Sequence, residues 1–454
     1  MKVHFIAIGG SAMHNLAIAL VKKGYHITGS DDEIFEPSKS RLKKYGILPE
    51  SEGWNPGKVI PDLDAVILGM HARSDNPELL KAKELGLKIF SYPEYLYEQS
   101  KNKKRVVIGG SHGKTTITSM ILHVMNACGK DCDYMVGAQL EGFEVMVNIT
   151  ENAPVMILEG DEYLTSPIDR RPKFHVYKPD IALVSGIAWD HINVFPTFEN
   201  YIDQFRKFAE LISPKGTLIY CNEDENVRNI GTSSRSDIKS ISYTIPEHAI
   251  EEGITKIIHR DKKFPLKIFG EHNLMNLEGA RLVCYELGIA DMDFCSAIQS
   301  FAGASSRLEL VAKSKTTSVF KDFAHSPSKL VATTKAVKKQ FPGRKLVACI
   351  ELHTFSSLSS NFLDHYKGCL DNADIAKIYF NPHTIALKKL PPITSEQVKN
   401  AFGNPEAQVY TDSSILVNDL LSIEWKNKNL LMMSSGNFDG IDLHQTATTI
   451  ISNV

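Results

Sequence analysis

The chain has 454 residues, enough for about three domains at roughly 150 residues each. Its 51 basic and 53 acidic residues leave a formal charge of −2, which excludes bulk electrostatic attraction to nucleic acid or an anionic membrane. With 43% hydrophobic and 23% charged residues and no apolar run of about 18 residues, neither global disorder nor a transmembrane helix is expected.

Residues 3–8 form a continuous apolar run that suits a strand covered on both faces. Gly9 and Gly10 turn the chain, and Met13, Leu16, Ala17 and Leu20 then recur at helical spacing up to Gly24. Lys2 ahead of this apolar stretch resembles a secretion signal, but His14, Asn15, Lys22 and Lys23 interrupt it, so strand-turn-helix is the better account. Further strands are predicted at 26–29, ending in Ser30 and Asp31, and at 65–69, followed by a polar linker at 99–105. A second block starts with a strand at 106–108. It continues with strands at 155–158, 181–185 and 217–221 and helices at 116–128, 198–211 and 274–287. Residues 231–263 are polar with short β-like pieces and read as a small excursion from the main sheet. After a linker at 303–307, strands at 318–320, 346–350, 378–380 and 430–433 alternate with helical stretches.

Repeated strand-helix units imply parallel, doubly wound sheets. The expected organisation is three consecutive α/β domains. These are a Rossmann-like domain over 1–100, a central P-loop ATPase-like domain over 101–303 and a Rossmann-like domain over 304–454. The seven cysteines include no CxxC pair, which fits reduced thiols in a cytoplasmic protein.

The sharpest local signal is Gly109-Gly110-Ser111-His112-Gly113-Lys114-Thr115-Thr116, between an apolar strand and a helix. Glycines there let backbone N–H groups reach phosphate oxygens, the helix N-terminus adds partial positive charge, Lys114 can reach β- and γ-phosphates, and the Thr115 hydroxyl can ligate Mg²⁺. The strict GxxxxGK spacing fails because Ile108 stands at the first glycine, so a glycine-rich turn with an incidental lysine is the alternative. Glu159-Gly160-Asp161-Glu162 follows the strand at 155–158, where a carboxylate beside a phosphate loop is well placed for Mg²⁺; a solvated acidic turn is the alternative. Trp189-Asp190-His191 follows another strand of the same sheet, which makes His191 a metal or phosphate candidate.

The Gly9-Gly10 turn is weaker, since Ala7 and Ala12 occupy glycine positions of a dinucleotide fingerprint. Asp31 nevertheless ends the next strand, where an acid often receives a ribose hydroxyl. On residues alone this leaves a sugar nucleotide, a dinucleotide or a tight structural turn open. Asn273, ahead of the helix at 274–287, suits either a helix cap or the mixed donor and acceptor edge of adenine. Arg307 and Asp322 supply a cation and an acid near the start of the third domain.

Taken in order from Gly9 to Gly440, these stretches resemble the Mur ligases, the ATP-dependent amide-forming enzymes of bacterial cell-wall assembly. Residues 161–163 with 169–174, residues 323–325 and residues 433–440 are similar to the branch that joins UDP-N-acetylmuramate to the tripeptide L-Ala–γ-D-Glu–meso-diaminopimelate. The branch that adds single L-Ala to the same sugar nucleotide is the alternative, because residues 351–356 lie closer to its pattern. Ser306 and Ser326 replace an Arg and a His expected in the family, which raises a nucleotide-binding protein without ligase activity as a reading of another class. A Rossmann dehydrogenase would leave the phosphate loop unexplained.

The resemblance implies roles. Gly9, Gly10, Ser11 and Asp31 would bind UDP-N-acetylmuramate. Gly110, Ser111, His112, Gly113, Lys114, Thr115 and Thr116 would hold ATP, with Asn273 at adenine and Arg307 and Asp322 closing over the nucleotide. Thr115 and Glu159 would bind Mg²⁺ and His191 a second metal ion, with Lys114, Glu159 and His191 catalytic. Arg170, Arg171 and His353 would meet the amine acceptor, together with Lys173 and the loop 434–440, and His191 or His353 would be its base; a solvated charge run is the alternative for Arg170 and Arg171. Many family members carry a carbamylated Lys where alignment here puts Phe205, with Lys207 the less favoured substitute; the muramate-accepting branches lack it. The partners implied are small molecules, with a monomer or weak dimer expected.

Overall fold

The computed structural model describes residues 1–70, 72–137, 143–189, 194–251, 253–303 and 307–453. The chain divides into two compact units, residues 1–245 with 275–298 and residues 246–274 with 299–454.

The first unit contains two sheets. Strands β1 (Lys2–Ile6), β2 (His26–Ser30), β3 (Ala65–Leu68) and β4 (Ile89–Ser91) form an all-parallel sheet in the order β2-β1-β3-β4. Ile6, Val66 and Leu68 pack with Leu79 and Ala82 of the helix Pro77–Glu84. The second sheet holds β5 (Lys104–Gly109), β6 (Asp133–Met135), β7 (Val147–Asn148), β8 (Val155–Glu159), β9 (Ile181–Val184), β10 (Thr217–Cys221) and β11 (Lys239–Tyr243). Its order is β11-β10-β9-β5-β8-β6-β7, parallel except for β7. Strands β8, β9 and β10 are buried along their whole length, which is why they read as unbroken apolar runs instead of alternating ones. The two sheets are joined by Met146 N–H on Asn15 Oδ1 at 3.0 Å and by Glu144, which pairs with Lys22 at 2.6 Å and Lys44 at 2.8 Å.

The second unit begins with an antiparallel sheet of β12 (His248–Glu251), β13 (Ile254–His259) and β14 (Lys262–Pro265). The excursion expected at 231–263 is therefore shorter: β11 completes the main sheet of the first unit, and only β12 to β14 leave it. A six-stranded sheet follows, built from β15 (Glu309–Lys313), β16 (Ser318–Asp322), β17 (Lys345–Leu352), β18 (Ile375–Phe380), β19 (Gln408–Tyr410) and β20 (Lys428–Met433). Its order is β15-β16-β20-β17-β18-β19, parallel except for β15. Alternate residues of β17 serve opposite faces. Leu346, Ala348, Ile350 and Leu352 enter one apolar cluster, and Val347 and Cys349 the other.

All seven cysteines are free thiols. Among the described residues, no helix is long and apolar enough to cross a membrane.

Candidate active site

Strand β5 lies between β9 and β8, so its carboxyl end opens between theirs, the position where doubly wound sheets receive ligands. The chain leaves β5 at Gly109, passes through residues 110–113 and enters the helix Lys114–Ala127. Two glycines make this path possible. Gly110 has φ 129° and Gly113 φ 79°, and added Cβ atoms would meet the Ser185 nitrogen at 3.0 Å and the Asn276 carboxamide carbon at 3.1 Å. Ser111 N–H donates to the Gly186 carbonyl at 2.9 Å and Ser185 N–H to Gly109 at 3.1 Å, fastening the loop to the end of β9.

Lys114 Nζ donates to the Gly110 carbonyl and to Glu162 Oε2, each at 2.6 Å. Burial opposes its charge, but Glu162, Asp161 and Glu159 outweigh burial and raise its pKa, so the ammonium is held charged. Thr115 Oγ1 donates to Glu159 Oε1 at 2.9 Å, and Gly137 N–H donates to Oε2 at 2.8 Å. Burial raises the Glu159 pKa against these bonds and the Lys114 charge. Burial also resists ionisation of Asp161, yet Lys173 at 2.6 Å and Lys114 keep its pKa down at about 2.

The hydroxyl and the carboxylate expected to bind Mg²⁺ thus already face each other. Among the described residues no cluster of three or more His, Cys, Asp and Glu side chains is arranged to hold a metal. The paired Thr115 hydroxyl and Glu159 carboxylate fit Mg²⁺, which takes one or two protein carboxylates and completes its shell with phosphates and water. His191 lies outside the described residues, as does Ser306.

Other expected residues fall into place unevenly. Gly9 N–H donates to Asp31 Oδ2 at 2.7 Å, so the first glycine turn and the acid after β2 are held together in front of the helix Ser11–Lys22. Burial, aided by neighbouring Asp32, pushes the Asp31 carboxyl up to about 7. Asn273 lies inside the helix Glu271–Glu286 instead of ahead of it, so it is no helix cap, and its amide donates to the Phe269 carbonyl at 2.9 Å. Burial lifts Asp322 to about 6 against N–H bonds from Ala324 at 2.7 Å and Leu308 at 2.9 Å, while the Arg307 guanidinium lies 4.4 Å from the Phe323 ring centre. Arg171 pairs with Asp169 at 2.6 Å and Glu94 at 3.5 Å, and Arg170 is exposed. Phe205 is sealed in the core against Phe174 and Tyr201, with ring centres 5.3 Å away in both cases, whereas Lys207 is exposed.

At the carboxyl end of β17 in the second unit, His353 Nδ1 stands 3.6 Å from buried Glu351. Glu351 accepts from the Ser434 hydroxyl and, at 2.8 Å, from Phe438 N–H, which ties the loop 434–440 to β17. Glu162, Tyr201, Asn276 and Glu351 carry this geometry without having been singled out for a role. Glu162 was the legible one, since it is the last acid of a cluster beside a phosphate loop.

The model of the Mur ligase middle domain matches residues 108–284, and that of the Mur ligase family catalytic domain matches residues 2–104. A UDP-N-acetylmuramate–L-alanine ligase of Clostridium botulinum is 30% identical over 395 residues, 83% of each chain. A UDP-N-acetylmuramate–L-alanyl-γ-D-glutamyl-meso-2,6-diaminoheptandioate ligase of Haemophilus influenzae is 26% identical over 451 residues, 97% of each chain. The crystal structure of a UDP-N-acetylmuramate–alanine ligase of Thermotoga maritima shares the fold, with a TM-score of 0.70 at 21% identity, covering 100% of this chain and 98% of that one.

Proposed function

The chain belongs to the Mur ligase family of ATP-dependent, ADP-forming amide ligases, and from that premise we propose that it joins UDP-N-acetylmuramate to the tripeptide L-Ala–γ-D-Glu–meso-diaminopimelate. The observation that carries the ATP chemistry is the facing arrangement of Lys114, Thr115 and Glu159 at the carboxyl edge of β5 and β8. The tripeptide is supported by the segments 161–174 and 433–440, and by the full-length match to the Haemophilus ligase. Residues 351–356 and the 30% identity to the Clostridium ligase favour single L-Ala as the second reading.

In this division of labour residues 1–100 take the sugar nucleotide through Gly9, Gly10, Ser11 and Asp31, residues 101–303 take ATP, and residues 304–454 take the amine. The protein acts on small molecules in the cytoplasm as a monomer or weak dimer. A carboxylate is a poor electrophile, so the muramoyl carboxylate is first phosphorylated by ATP; the amine then attacks the acyl phosphate and phosphate leaves. Two anions must approach in the first step, and the Lys114 ammonium relieves that repulsion at the transferred group. Thr115 and Glu159 would hold Mg²⁺, which when bound would supply further charge neutralisation on the phosphate oxygens. The attacking α-amine must be neutral, with an ordinary pKa of about 8. His353, with Glu351 behind it, and His191 are the candidate bases.

A panel of amine acceptors with UDP-N-acetylmuramate, ATP and Mg²⁺, read by mass spectrometry, tests the assignment. Tripeptide kcat/KM should exceed that for L-Ala by at least about tenfold, roughly 1.4 kcal/mol of discrimination. A preference for free L-Ala would refute the tripeptide and leave the ligase class intact.

A further inference from the structure

Glu162 is 1% exposed, yet it lies beside a loop whose task is to receive polyanionic phosphate. Burying a carboxylate there is costly and repels the ligand, so its presence calls for a compensating use. Its bonds supply one. Ala188 N–H donates to Ser111 Oγ at 2.9 Å, Ser111 Oγ lies 2.8 Å from the Tyr201 hydroxyl, and that hydroxyl donates to Glu162 Oε1 at 3.0 Å. Because the tyrosine proton is committed to the carboxylate, Ser111 is the donor to Tyr201, and every donor in the chain points toward Glu162. Glu162 Oε2 then takes the Lys114 ammonium at 2.6 Å.

We propose that Glu162 is a positioning residue for phosphoryl transfer: anchored by Tyr201 and Ser111, it holds the Lys114 ammonium in one orientation toward the transferred phosphate. Two of the three Nζ protons are fixed, on Gly110 and Glu162, and among the described residues the third has no partner, which leaves it for phosphate. The chain starts at Ala188, beyond β9, and crosses the helix Phe198–Glu210 through Tyr201, so the end of β9 and that helix both set where the lysine points. The same carboxylate that aligns Lys114 also competes with phosphate for its charge. It should therefore strengthen the transition state while weakening ground-state nucleotide binding, a pattern that a packing role does not produce. The inference rests on the ATP-ligase reading of the loop and is indifferent to which amine is the acceptor.

The test combines Glu162→Gln, which keeps shape and removes charge, with Tyr201→Phe, which keeps the buried ring and removes one hydroxyl, and the double variant. ADP formation is followed with whichever acceptor the wild type uses, and Mg·ADP affinity is measured by calorimetry. For Glu162→Gln, kcat should fall about 10²-fold, while KM for ATP stays level or drops and Mg·ADP binds about threefold or more tighter. Tyr201→Phe should lower kcat about tenfold. Because both residues act through one lysine, the double variant should match Glu162→Gln alone. A kcat within about threefold of wild type, weakened Mg·ADP binding in Glu162→Gln, or multiplying effects in the double variant would overturn the proposal. A wild type that binds Mg·ADP but makes none with any acceptor would fail the ligase reading instead, and the affinities of the three variants would still decide the relay.

Discussion

Removing the lysine of the phosphate loop should cost both catalysis and stability, and the two losses should be separable. On the proposed reading Lys114 is the main protein cation on the transferred phosphoryl group, so in Lys114→Ala kcat should fall about 10³-fold. The same change strips an ammonium from Glu162, whose side chain is 1% exposed. Breaking a buried ion pair costs about 3–5 kcal/mol because the remaining charge loses its compensation. Lys114 keeps 15% of its side chain accessible, and the Tyr201 bond to Glu162 survives, so the expected loss is at the lower end, about 3 kcal/mol. At about 2–4 °C per kcal/mol for a large domain, the nucleotide-free melting temperature should drop by about 6–12 °C. Lys114→Met combined with Glu162→Gln replaces the pair by two neutral side chains of similar size. That variant should recover most of the lost melting temperature and none of the lost turnover. Scanning calorimetry and a coupled ADP assay on the three proteins suffice. An unshifted melting temperature in Lys114→Ala would refute the stabilising pair, and restored turnover in the double variant would refute Lys114 as the phosphoryl cation.

Glu159→Gln should raise the Mg²⁺ concentration needed for half-maximal turnover steeply, since it neutralises the carboxylate facing Thr115; an unchanged Mg²⁺ titration would remove Glu159 from the metal site. Asp31 carries a pH prediction: with its carboxyl at about 7 in the folded chain and near 4 when unfolded, the folded state holds a proton that the unfolded state has released. Stability therefore declines as pH rises from about 4 to about 7, and Asp31→Asn should flatten that slope, gaining on wild type at pH 8 relative to pH 5 in urea denaturation. A constant difference between the two proteins at both pH values would count against the buried, protonatable Asp31.

The order of strands and helices was legible because each carries its own periodicity or apolar run, and such local signals survive without neighbours. The short strands at β4, β6, β7 and β19, two or three residues long, and the edge strand β15 went unread, being defined by the strand they pair with. Helix starts moved for a related reason: Lys114 and Glu271 open their helices because Gly113 in the left-handed region and the turn at Gly270 end the preceding loops, not because of residue preference.

For the site, the phosphate loop, the acid after β8 and the residues after β9 could be placed on one sheet edge from sequence, since parallel strands deliver their carboxyl ends to the same side whatever their order. Which partner each side chain chooses was decided only by the tertiary structure. Asp161 and Glu162 are adjacent acids of one cluster, yet Asp161 turns to Lys173 and Glu162 to Lys114 and Tyr201. Arg171, an acceptor candidate by residue type, is paired with Asp169 and Glu94, partners that its spacing did not reveal. Residue types and spacing determine which chemistry a loop can perform, because backbone geometry and charge are local properties. The pairing of charges depends on distances across sequence separations such as the 48 positions from Lys114 to Glu162, and only the packed fold sets those.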